Sequence, residues 1–153
     1  MDPYDMERTQ AVWKRVMGSE AVAELKQGLK DMMEAEFASE QAYWKMAGQN
    51  KIHAPILRRM ALEERQHGMK LSALYNLLYG QPPKRQRNPD KPKHSFREAV
   101  RHSFRGELTA AETYEEAAQT WRAHRAFFQQ LARDEWRHSQ NLRRLAQHPT
   151  FNE

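Results

Sequence analysis

The stretch ALEERQHGMKLSAL, residues 61–74, returns 71 residues later as ARDEWRHSQNLRRL, residues 132–145. Five positions are held in common: Ala61 and Ala132, Glu64 and Glu135, His67 and His138, Leu71 and Leu142, Leu74 and Leu145. The apolar members recur at three- and four-residue steps, the mark of a helix with one inward face. Glu and His therefore interrupt a stripe that should face a core. The same offset continues upstream without a gap, pairing Glu36 with Glu107, Tyr43 with Tyr114, Ala47 with Ala118 and His53 with His124. Self-similarity of this kind marks two copies of one supersecondary unit, here a helical hairpin.

Working outward from the repeat, the stripes predict four long helices. The first covers about residues 19–49, with Leu25, Leu29, Met32, Glu36, Tyr43 and Ala47 on one face. The second starts near Pro55, a residue suited to a first turn, and runs to residue 79 with Leu57, Met60, Glu64, His67, Leu71, Leu74 and Leu78 inward. The third, residues 95–120, aligns Val100, Phe104, Glu107, Ala111, Tyr114 and Ala118; the fourth, 123–147, aligns Phe128, Leu131, Glu135, His138, Leu142 and Leu145. Residues 1–18 contain a shorter amphipathic segment with Trp13 and Val16, read as an extra N-terminal helix. The expected architecture is an all-α four-helix bundle over residues 19–148, with halves 19–79 and 95–148 joined by a linker at 80–94. Symmetric halves require the second-to-third connection to cross the length of the bundle. The second helix is ~37 Å long at ~1.5 Å per residue, and the linker can extend ~50 Å, so an up-down-down-up order with a long crossover is feasible.

Composition agrees. At 153 residues the chain is one domain's worth and can bury a core. Only 6 Gly and 7 Pro punctuate it, and it has no Cys. That excludes disulfides, thiol catalysis, Fe–S clusters and Cys-bound iron in this chain. The start lacks the basic-then-apolar layout of a signal peptide and no apolar run would span a bilayer, so a soluble cytoplasmic protein is expected. Of the net charge of +5, residues 81–94 supply +4, from five basic side chains against one acidic. A basic helix face for nucleic acid is not indicated; the charge reads first as a solvated linker.

The chemistry lies in six polar residues at the middle of apolar stripes: Glu36, Glu64, His67, Glu107, Glu135 and His138. Four buried carboxylates without partners would cost several kcal/mol each. Two divalent cations carry four positive charges and cancel them, and imidazoles complete the coordination. Glu and His at i, i+3 stand on one helix face a turn apart. A single Glu-x-x-His is ordinarily a surface pair. Two copies, each 28 residues after an inward Glu, are a register that surface coincidence does not explain.

These residues resemble the ferritin-like diiron-carboxylate superfamily, which includes rubrerythrins, bacterioferritins and ferritins. One Glu from each of two helices plus Glu-x-x-His from each of the other two is its signature, matched here by Glu36, Glu64–His67, Glu107 and Glu135–His138. The likeness covers residues 19–148. It implies two iron ions as cofactor, with Mn or a mixed Fe/Mn pair suiting the same ligands. Glu64 and Glu135 would bridge the metals, and Glu36 and Glu107 would be terminal ligands. Tyr43 and Tyr114, each seven residues after its Glu, match tyrosines that support the metal ligands in rubrerythrins. Glu63 and Asp134 are placed to orient the His ligands through the second ring nitrogen. Where rubrerythrins carry a further carboxylate, this chain has Ala110, and Glu40 and Glu112 are the candidate substitutes. Arg65 stands where a bacterioferritin-like haem ligand would be, so haem is not expected. The 15 residues after His138 are too few for the fifth helix of a ferritin cage.

The resemblance implies an oxidoreductase that reduces peroxide, rubrerythrin-like, in oxidative stress. Without a rubredoxin-like module, electrons would come from an external carrier, and a homodimer is expected. A ferroxidase or oxygen scavenger comes second, and non-catalytic iron binding or storage third. A nucleic-acid-associated protector, suggested only by the linker's charge, would show itself by steeply salt-dependent binding.

Overall fold

A computed structural model of the chain describes residues 19–86 and 93–152. The expected N-terminal helix within residues 1–18 and the linker cations Arg87 and Lys91 lie outside the described residues. Among the described residues there is no strand. The order is α1 (Ser19–Gln49), α2 (Ala54–Tyr79), α3 (Phe96–Thr120), a 3-10 turn (Arg122–His124), α4 (Arg125–Ala146) and a last 3-10 turn (Pro149–Asn152). No described helix is long and apolar enough to cross a membrane.

Local chemistry explains the ends. Asn50 closes the α1–α2 turn, its Oδ1 accepting from the Ile52 and His53 amides at 3.1 and 3.2 Å. Gly80 ends α2 at φ 73°, a left-handed conformation that glycine adopts without a Cβ penalty. Ser95 sits just before α3 as a capping box: its hydroxyl accepts from the Glu98 amide at 3.3 Å while Glu98 Oε2 accepts from the Ser95 amide at 2.9 Å. The fourth helix starts at Arg125 rather than 123, because the chain first tightens into the 3-10 turn at Arg122–His124.

The described residues gather into two compact units, 19–40 with 62–86 and 41–61 with 93–152, so α1 and α2 contribute to both. In the first unit Leu25, Leu29, Met33 and Phe37 from α1 are buried, as are Leu71, Leu74, Tyr75 and Leu78 from α2. The Tyr79 hydroxyl donates to the Val22 carbonyl at 3.0 Å. One close approach is decisive. A Cβ on Gly68 would stand 2.8 Å from the Phe37 ring, so this ring requires glycine there. At the corresponding positions of the repeat the sequence has Leu108 and Ser139.

The linker is not wholly free. Pro83 is buried, the Gln86 amide donates to Glu34 Oε1 at 2.9 Å, and the Arg85 guanidinium lies 3.7 Å above the Phe37 ring. Arg85 therefore straps the first unit as well as carrying charge.

In the second unit the core joins Tyr43, Met46, Leu57 and Met60 to Val100, Leu142 and Leu145, with Phe96, Phe104 and Phe151 packed against it. Tyr114 stacks on Phe128 at 6.4 Å, and Trp121 leans on Phe128 at 5.7 Å. The last turn is tied back through His53, whose Nε2 is 3.3 Å from the Thr150 hydroxyl.

Candidate metal centre

Each unit buries one acidic triad. In the first, α1 supplies Glu36 and α2 supplies Glu64 and, one turn on, His67; all three are buried, Glu64 completely. His67 Nδ1 lies 3.5 Å from Glu36 Oε2 and 3.3 Å from Glu64 Oε2. One ligand atom from each of the three falls within 4.8 Å of the others.

In the second unit α3 supplies Glu107 and α4 supplies Glu135 and His138, again buried, with His138 fully so. His138 Nδ1 is 3.8 Å from Glu107 Oε2 and 3.7 Å from Glu135 Oε2. These three also offer ligand atoms within 4.8 Å of one another. The Tyr43 hydroxyl donates to Glu107 Oε1. That places the α1 end of the second unit directly on a triad carboxylate.

No protein family, curated protein or solved structure matches the chain.

The case for the site therefore rests on the donor atoms themselves. Two carboxylates and an imidazole are a hard-oxygen and borderline-nitrogen set, suited to iron, manganese or zinc rather than to soft metals. In both triads Nδ1 faces the carboxylates, which leaves Nε2 for a supporting group. Electrostatics are compatible with a cation here. Burial pushes the Glu107 carboxyl up to about 7, Glu135 beside it pushes in the same direction, and His138 opposes them. A bound proton neutralises such a group, and a metal ion can do the same work without it.

Tyr114 is buried in the second unit, stacked on Phe128. Asp134 is buried, 3.0 Å from an Arg137 guanidinium nitrogen and accepting from Gln130 at 3.2 Å. Glu63 and Glu40 are half-buried. Glu112 is exposed, on the wall of an open groove of α3 and α4. It lies five residues after Glu107, a spacing that turns it away from the Glu107 face. What sequence reasoning did not find is Tyr43 as the direct donor to Glu107. The repeat treats Tyr43 and Tyr114 alike, and nothing in it says which carboxylate either one reaches.

Proposed function

We propose that the two triads act as one two-metal carboxylate centre in an up-down-down-up, ferritin-like bundle. The chain is then a non-haem diiron oxidoreductase that reduces peroxide to water with electrons from a separate small carrier. The observation that carries this reading is the pair of buried Glu, Glu, His triads repeated at 71 residues. Uncompensated, they would cost more than typical domain stability.

In this reading Glu36, Glu64, His67, Glu107, Glu135 and His138 would hold the metals. An iron pair, when bound, supplies two electrons to peroxide and neutralises the carboxylates. The chain's own residues set the conditions. The two His turn Nδ1 toward the carboxylates, and the Tyr43 hydroxyl fixes Glu107 by donating to its Oε1. The surrounding leucines, methionines and aromatics keep bulk water from the carboxylates, so charge interactions there are strong. The net reaction consumes one peroxide, two protons and two electrons and yields two waters; a carrier external to this chain must restore the electrons.

Ala110, which leaves out one carboxylate of the rubrerythrin pattern, favours a second reading as a ferroxidase or oxygen scavenger. Iron-loaded, reduced protein is mixed with peroxide or with O2 at equal concentrations, and its oxidation is followed by absorbance. Faster oxidation by peroxide, with steady turnover when a reduced carrier is supplied, supports the peroxidase. Equal or faster reaction with O2 replaces it with the ferroxidase, and oxidation without turnover by either leaves only storage.

A further inference from the structure

Along α3 and α4 lies an open groove of about 590 Å³ with a floor of Ala111, Ala118 and Ala132. Its walls differ in sign. The α3 wall carries Glu112 and Glu115; the α4 wall carries Arg125 and Arg133. Among the described residues, none comes within ion-pair distance of Glu112, Glu115 or Arg125. At the α4 edge stands Trp136, 55% exposed, a large indole with only part of its surface covered. An acidic wall, a basic wall, a shallow small-residue floor and an unburied aromatic knob together make a self-complementary surface.

We propose that this face docks a second copy of the chain across a two-fold axis parallel to α3 and α4. Two-fold contacts are isologous, each patch meeting the same patch on its partner. An axis parallel to the helices sets α3 of one copy over α4 of the other at unchanged height. An axis across them would set α3 on α3, Glu against Glu, and like charges disfavour it. The heights fit the first choice. The helices are antiparallel, joined by residues 121–124, and carboxylate oxygens of Glu107 and Glu135 lie within 4.8 Å of each other. Counting away from that level at about 1.5 Å per residue brings Glu112 within about 5 Å of the height of Arg133, and Glu115 within about 3 Å of that of Arg125. These offsets are within reach of Glu and Arg side chains. Trp136 then falls opposite Gly106 on the partner's α3, and around Gly106 no atom lies within 4 Å of where a Cβ would stand. The indole has room there. The proposal does not depend on metal or on any reaction.

Charge reversal tests both the face and the axis. One variant carries Glu112→Arg with Glu115→Arg, the other Arg125→Glu with Arg133→Glu, and masses are measured by sedimentation over a concentration series. The expected result is a dimeric wild type, two monomeric variants, and a dimer when the variants are mixed, since every contact is then between opposite charges. A monomeric wild type overturns the proposal. So does either variant remaining dimeric alone, or a mixture that stays monomeric. If circular dichroism shows that a reversed variant has unfolded, Glu112→Gln with Glu115→Gln takes its place. That pair should raise the dimer dissociation constant at least tenfold, and an unchanged constant counts against the interface.

Discussion

Replacing Glu107 with Gln should make the metal-free protein more stable at neutral pH and change its pH dependence in a predictable way. The Glu107 carboxyl lies near 7 in the fold, against an ordinary value of 4.5, with burial as the largest cause. Between those values the folded chain holds a proton that the unfolded chain has released, so raising the pH through this window costs stability. The span from 4.5 to about 7, at about 1.4 kcal/mol per pH unit, is worth about 3 kcal/mol. Gln has the same shape and does not titrate. The wild type should therefore lose about 3 kcal/mol relative to Glu107→Gln as pH rises from 4.5 to 7, and the difference should be flat outside that range. For a chain of this size that is a change of about 10 °C in relative melting temperature. Thermal unfolding by circular dichroism, in chelator and across pH 4–8, measures it. With metal present the order should reverse. The cation then takes the proton's place, and Glu107→Gln lacks the negative charge that binds it. Two melting curves that run parallel across the whole range in chelator would refute the reasoning, because the Glu107 carboxyl would then titrate alike in the folded and the unfolded chain.

Gly68→Ala should cost about 1–3 kcal/mol in urea unfolding, since the added methyl meets the Phe37 ring at 2.8 Å. Adding Phe37→Leu should restore most of the loss, because it removes the ring that the methyl meets. In stopped flow, the reduced iron form should react with peroxide faster than with O2 at equal concentration, and the reverse order would favour the ferroxidase.

Helix positions were legible because each follows from a local property. Leu71 and Leu74 recur at helical spacing, and Pro55 suits the first turn of α2. The six polar residues were legible because carboxylates in an apolar stripe contradict the pattern around them, and the repeat showed the contradiction twice. The strap of Pro83, Arg85 and Gln86 on Phe37 and Glu34 was not legible. A linker has no periodicity, and its path is set by the surface it meets. The groove was hidden for a similar reason. Glu112 read as a candidate carboxylate for the metals, and Glu115, Arg125 and Arg133 carry no signal in the repeat, until the hairpin sets all four on two walls. Tyr43 and Tyr114 are equivalent in the repeat, yet only three-dimensional packing tells that Tyr43 reaches Glu107.

The most direct test of the central claim is a metal count. Protein purified without oxygen, reconstituted with ferrous iron and freed of loose metal should hold two ions per chain by elemental analysis. Glu64→Ala combined with Glu135→Ala should hold far less, because Glu64 and Glu135 are the two carboxylates proposed to bridge the pair. Two tightly held ions in that double variant, or none in the wild type, would contradict the account.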